Sequence, residues 1–211
     1  MSKHWTIPIH HEETLEKPAD IRTPDPHQDT FSKNVLGFWL YLMTDCLLFA
    51  SLFAAYAILH NKTFGGPSAS EIFSLPLAFS ETMILLFSSV TCGLALLSSL
   101  KNKREQVIFW LVISFALGTT FVVMEIIEFT QLVDEGFSWR VSAFLSSYFT
   151  LVGTHGLHVS IGLFWMVVII AQLYWQGINV DTFRRLIIFS LFWHFLDVVW
   201  IFIFTFVYLI S

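Results

Sequence analysis

Five apolar runs, each near or above the length a helix needs to cross a bilayer, dominate the sequence: Val35–Leu59, Leu77–Ser99, Val107–Leu132, Phe144–Tyr174 and Leu186–Ile210. At 1.5 Å per residue, about 20 residues cover the ~30 Å of hydrocarbon in a membrane. The runs predict an all-α fold, a polytopic membrane protein built as a bundle of five transmembrane helices. The fourth, charge-free from Val141 to Trp175, exceeds the bilayer thickness, so its helix is expected to tilt or to project. No proline follows Pro76, which predicts helices without proline kinks beyond the second run.

Charge distribution sharpens this division. Ten of the 27 charged residues fall between Lys3 and Lys33, leaving 17 for the remaining 178 residues. Residues 1–33, with the turn signal Thr23-Pro24-Asp25-Pro26 and no apolar run, are expected to form a polar cytoplasmic tail, and residues 34–211 the transmembrane domain. The tail lacks the charged start and short apolar core of a signal peptide, so the first span is expected to act as the insertion signal. Only 13% of the chain is charged, against about 25% in soluble domains. Eleven Lys and Arg against 16 Asp and Glu leave no basic stripe for nucleic acid. Cys46 and Cys92 both lie in apolar runs, which argues against a disulfide scaffold, a zinc knuckle or a haem attachment motif.

Basic residues set the expected orientation. Lys3, Lys17, Arg22, Lys33, Lys101, Lys103, Arg104, Arg184 and Arg185 fall on one side of the five spans, and only Lys62 and Arg140 on the other. Positive-inside logic then places the N-terminus in the cytoplasm and the C-terminus on the periplasmic side. Trp39, Tyr41, Tyr56, Trp110, Trp139, Tyr174, Trp175 and Tyr208 lie near span ends, where amphipathic rings are favoured.

Eight ionisable side chains lie within the runs: Asp45, Glu81, Glu125, Glu128, His155, His158, His194 and Asp197. A charge at the bilayer centre costs at least ~2.5–3.5 kcal/mol, so these groups are expected to face the bundle interior, to pair, or to be neutral. Counting from the span ends puts Asp45, His155, His158, His194 and Asp197 near the midplane and Glu81, Glu125 and Glu128 in the outer half. His155/His158, His194/Asp197 and Glu125/Glu128 share the i, i+3 spacing that presents two groups on one helix face. Asp45 has two readings, a carboxyl that locks two helices together or a proton- or lipid-linked group. For the histidines and Asp197 the expectation is hydrogen bonding between helices, and for the three glutamates a structural acid cluster near a water-accessible edge. Gly153, Gly156 and Gly162 are expected to allow close helix approach, and Trp165, Trp193 and Trp200 to pack. No Glu-x-x-His pair of the kind that holds a di-iron centre occurs, the expected depths separate the glutamates from the histidines, and no metal site is expected.

Four segments carry a resemblance. They are Gly37-Phe38-Trp39-Leu40-Tyr41-Leu42-Met43-Thr44-Asp45, Met124-Glu125-Ile126-Ile127-Glu128-Phe129, Gly153-Thr154-His155-Gly156-Leu157-His158-Val159 and Phe192-Trp193-His194-Phe195-Leu196-Asp197-Val198-Val199-Trp200. In order, each in its own span, they resemble subunit III of the haem–copper respiratory oxidases. The resemblance runs from Gly37 to the C-terminus and is nearest to the cytochrome bo-type ubiquinol oxidase branch. It implies a noncatalytic subunit of a bacterial inner-membrane oxidase that oxidises ubiquinol, reduces oxygen to water and pumps protons. Haem b, haem o and copper are then expected in subunit I, with no cofactor in this chain and no catalytic residue. The implied partners are subunits I, II and IV and bound phospholipid, and the implied role is to stabilise subunit I and sustain proton uptake. Asp45 matches the position of a carbodiimide-reactive carboxylate that is Glu in mitochondrial forms. Those forms have seven helices; the five here resemble the set that begins at the third, so a small separate subunit is expected to fill the place of the first two.

Two further functions remain open at this point. One is the same subunit in a cytochrome c oxidase, since the electron donor is chosen elsewhere. The other is an independent proton or ion transporter, suggested by the midplane acids but without the broken helices or inverted repeat many transporters show.

Overall fold

The computed structural model describes residues 26–60 and 75–209, and of residues 26–32 the backbone alone. Most of the expected polar tail, residues 1–25, lies outside the described residues. Five helices follow one another: α1 (Pro26–Leu59), α2 (Leu75–Leu100), α3 (Arg104–Asp134), α4 (Ala143–Gln176) and α5 (Val180–Ile203), the last continuing as a π-helical segment, Phe204–Leu209. All five are long and apolar enough to cross a membrane, and there is no strand among the described residues. In hydrocarbon a helix satisfies its own backbone hydrogen bonds, which is why each apolar run takes this form.

Helix ends extend past the apolar runs for local reasons. Pro26 and Pro76 occupy first turns, where a missing N–H costs nothing. Between α2 and α3 the chain reverses over Lys101–Lys103, with Asn102 left-handed at φ 54° and donating its N–H to Ser99 O at 3.0 Å. Gly136, at φ 89°, ends α3 in the same way, with Phe137 N–H reaching Leu132 O at 2.8 Å. Ser142 caps α4 by accepting from Leu145 N–H at 3.1 Å.

Helices α2 to α5 form a closed ring: α2 packs on α3, α3 on α4, α4 on α5, and α5 back on α2. Its interior holds Trp193, Trp200, Tyr148, Phe121, Phe144 and Phe189, all fully buried. Trp193 lies across Gly162, where a Cβ would stand 2.9 Å from the indole. Apolar burial drives association only weakly when the solvent is lipid, so polar clasps add to close packing. Ser88 Oγ donates to Ser114 O at 3.1 Å and Ser114 Oγ to Ser88 O at 2.8 Å, joining α2 to α3. From α5, Trp193 Nε1–H donates to Ser88 Oγ and Trp200 Nε1–H to Thr82 Oγ1, both at 3.1 Å.

Helix α1 lies outside this ring, against α4 and α5. Among its described side chains the buried ones are Leu42, Asp45, Phe49 and Tyr56, one stripe at heptad-like spacing. Leu36, Leu40, Met43, Leu47 and Ile58 face outward.

Candidate functional site

Asp45 is the polar member of the α1 stripe, and it meets His158 of α4, with His158 Nε2 at 3.4 Å from Asp45 Oδ2. The same imidazole places Nδ1 2.7 Å from Thr154 O, one turn back on its own helix. A carbonyl only accepts, so Nδ1 carries the hydrogen and Nε2 is left facing the carboxyl. The contact is a long one, and no hydrogen bond reaches the buried Asp45 Oδ2. Phe49 packs over the His158 ring at 5.3 Å and closes one side of the pair.

The i, i+3 partner His155 has a different environment. It is fully buried, and neither ring nitrogen has a hydrogen-bond partner. Trp200, Phe121 and Phe49 surround it, at 5.2, 5.9 and 6.3 Å between ring centroids. The interhelical bond expected of His155 is absent; an aromatic box takes its place. His194 departs from the expectation too. It is exposed on the outer face of α5 and bonds its own helix through Nδ1 to Ser190 O at 2.6 Å. The i, i+3 spacing does not bring His194 and Asp197 to one partner, because Asp197 turns inward and is buried beside Ser89 of α2.

Glu81 of α2 joins Glu125 and Glu128 of α3 in an acid cluster, and all three are buried; the expected separation in depth from the histidines is not kept, since the Glu125 head reaches Gly156, next to His155. Tyr208, carried by the π-helical end of α5, directs its hydroxyl to Glu128 at 3.4 Å and lies 3.1 Å from the Tyr148 hydroxyl of α4. Both carboxyl oxygens of Glu81 and Oε1 of Glu125 have no hydrogen-bond partner. The Glu125 carboxyl lies against the bare Cα of Gly156, where any Cβ would overlap it. Gly156 thus admits a polar head, beyond the close approach of two helices.

Tyr148 and Tyr208 were not among the ionisable candidates, nor were Ser88, Ser114, Thr82 and the two tryptophan N–H groups. The available signal was a polar tip in an apolar run, since a buried Tyr or Trp usually finds a partner for it. His155 and His158 both pack on Phe49, while His194 lies exposed on the outer face of α5. Among the described residues no group of three or more His, Cys, Asp or Glu side chains is arranged to hold a metal ion.

A family model described as cytochrome c oxidase subunit III matches residues 25–211. This chain belongs to that family. Subunit 3 of the cytochrome bo(3) ubiquinol oxidase of Pseudomonas aeruginosa is 56% identical over 187 residues, 89% of this chain and 90% of that protein. The quinol oxidase subunit 3 of Bacillus subtilis is 46% identical over 87% of this chain and 90% of its own length. A cytochrome c oxidase subunit 3 from Bacillus sp. strain PS3 is 43% identical over 96% and 99%. A subunit III family member of this size therefore occurs with both electron donors.

Proposed function

We propose that this chain is the noncatalytic subunit III of a proton-pumping terminal ubiquinol oxidase in a bacterial inner membrane, with its N-terminus in the cytoplasm. The observation that carries the reading is the 56% identity, over nearly the whole of both chains, to a protein named as the third subunit of such an oxidase. In this reading haem b, haem o and copper reside in subunit I, and subunits II and IV and phospholipid complete the assembly. The chain's part is to brace subunit I and to keep proton uptake supplied, with the Asp45–His158 pair as the candidate group for it. A carboxyl and an imidazole side by side can hand a proton from one to the other without a lone charge crossing the hydrocarbon. Glu81, Glu125 and Glu128 with Tyr208 and Tyr148 form the acid cluster, assigned here a structural role.

An affinity pull-down of the tagged chain in mild detergent, read by a reduced-minus-oxidised optical spectrum, tests this. Haem b and haem o signals are expected in the complex and none in the chain purified alone; a colourless preparation without larger partners would overturn the reading. The cytochrome c oxidase alternative is favoured by the Bacillus sp. strain PS3 relative. A copper-binding Cys/His set in the copurified subunit II would decide for it.

A further inference from the structure

The three-residue turn between α2 and α3 and the last turn of α4 enclose a cleft of about 730 Å³, lined by Lys103, Arg104, Glu105, Gln106, Ile108 and Tyr174. Its cations have spare capacity. The Arg104 guanidinium donates one hydrogen bond, to Tyr174 O, and lies over the Tyr174 ring with 5.6 Å from Cζ to the centroid. A guanidinium has five N–H donors in a fixed fork, so most remain free. Lys103 is exposed beside it, and Lys101 precedes it across the left-handed Asn102, which holds the turn in place. Among the described residues none of these three cations has a carboxylate within ion-pair distance; Glu105, the one acid in the lining, leaves the cleft with net positive charge.

The setting is amphipathic. Ile108 and the Tyr174 ring form the inner wall, while Tyr174 and Trp175 are exposed as residues of a membrane-boundary belt are. Below the cleft, the outward face of α3 continues with Phe109 and Val112 and that of α4 with Val167 and Val168, all exposed and apolar. A cationic fork above an apolar wall, opening onto a lipid-facing surface, matches a molecule with an anionic head and hydrocarbon chains.

We infer that this cleft is a binding site for one anionic phospholipid of the cytoplasmic leaflet. The phosphate is held by Lys103 and the free edge of the Arg104 guanidinium, with the chains lying along α3 and α4. This deepens the lipid-binding part of the function proposed above and rests on that reading for its side of the membrane. The α2–α3 turn and the α4 end are otherwise joined by Arg104 and Tyr174, so a lipid bridging Lys103 and Arg104 would also stabilise the contact.

The test uses the delipidated complex in mild detergent, titrated with phosphatidylglycerol or phosphatidylcholine, with bound lipid counted by native mass spectrometry. Phosphatidylglycerol is expected to bind one site roughly tenfold or more tighter than phosphatidylcholine, a preference weakened by salt. Lys103→Gln, which spares the Arg104–Tyr174 contact, should lose part of the preference, and Lys103→Gln with Arg104→Gln all of it. Equal binding of the two lipids, or full selectivity in Lys103→Gln, would overturn the inference. So would displacement by inorganic phosphate at equal concentration, which would mark a soluble-anion site. A large gain in lipid affinity on deleting residues 1–25, with Glu12, Glu13 and Glu16, would identify that acidic segment as the occupant instead. The haem spectrum of the same preparation judges the oxidase reading independently: lipid selectivity without haem would sink that reading and leave this site standing.

Discussion

Helix α1 and the ring of α2 to α5 are both apolar, yet they are held by different means. The ring closes on itself through interlocking rings, bare glycines and a polar clasp among Ser88, Ser114 and Trp193. Helix α1 rests on α4 and α5 through a single stripe, with the Asp45–His158 pair among its contacts. In lipid, where apolar burial alone selects no partner, the number and redundancy of specific contacts decide which helix can leave. The ring has polar clasps between three of its helices, whereas α1 is held by one face, through ring contacts of Phe38, Phe49, Phe53 and Tyr56 beside the Asp45–His158 pair.

The largest expected effect is Trp193→Ala, which empties a fully buried site between α2, α4 and α5. A loss near the lower end of about 3–5 kcal/mol is expected, because lipid removes part of the transfer term. It should appear as loss of folded chain in detergent unfolding; a shift no larger than that of an α1 variant would erase the contrast between the two regions. Asp45→Ala comes next. It leaves His158 Nε2 without its partner and should cost about 1–3 kcal/mol while sparing the ring. Cysteine cross-linking between α1 and α4 should fall while cross-linking within the ring is unchanged.

Asp45→Asn sharpens the comparison, since it keeps shape and hydrogen-bonding capacity and removes the ionisable carboxyl. Assembly is expected to stay intact while the oxidase loses activity faster during turnover. An unchanged turnover lifetime would make the contact purely structural. Ser114→Ala, which removes one of several clasps, should have the smallest effect, with a coupling of about 0.6 kcal/mol by double-mutant cycle with Thr91→Val, whose hydroxyl lies 2.7 Å from Ser114 Oγ. A coupling several times larger would mean the ring depends on a single contact.

The five helices were legible from run length alone, because a span needs little beyond about 20 apolar residues. The direction in which each side chain points was not legible. A helix surrounded partly by lipid is apolar on its packed and on its outer face, so the 3.6-residue periodicity that orients a soluble helix is nearly flat. Spacing placed His155 and His158 on one face; structure separates an aromatic box from an acid pair. The same spacing could not show His194 turning to the outside while Asp197 turns in. Depth counting grouped Glu81 with Glu125 and Glu128, but it put them in a layer apart from His155 and His158, whereas the Glu125 carboxyl lies against Gly156 between those histidines; a long side chain moves its head away from the level of its own Cα. The contribution of Tyr208 depends on a π-helical turn at the end of α5, which no composition of Phe204–Leu209 announces.

The single-stripe attachment of α1 bears on how the chain is made. Asp45 precedes His158 by 113 residues, so at a synthesis rate of roughly 5–20 residues per second it waits roughly 6–23 s for the imidazole to be translated. Throughout that interval α1 carries a carboxyl in the middle of its apolar run with neither α4 nor α5 to cover it. Something in the insertion machinery must shelter that helix, or it must ride high toward the surface until its neighbours arrive. The newborn chain is thus most vulnerable to quality-control proteolysis before its fourth span emerges.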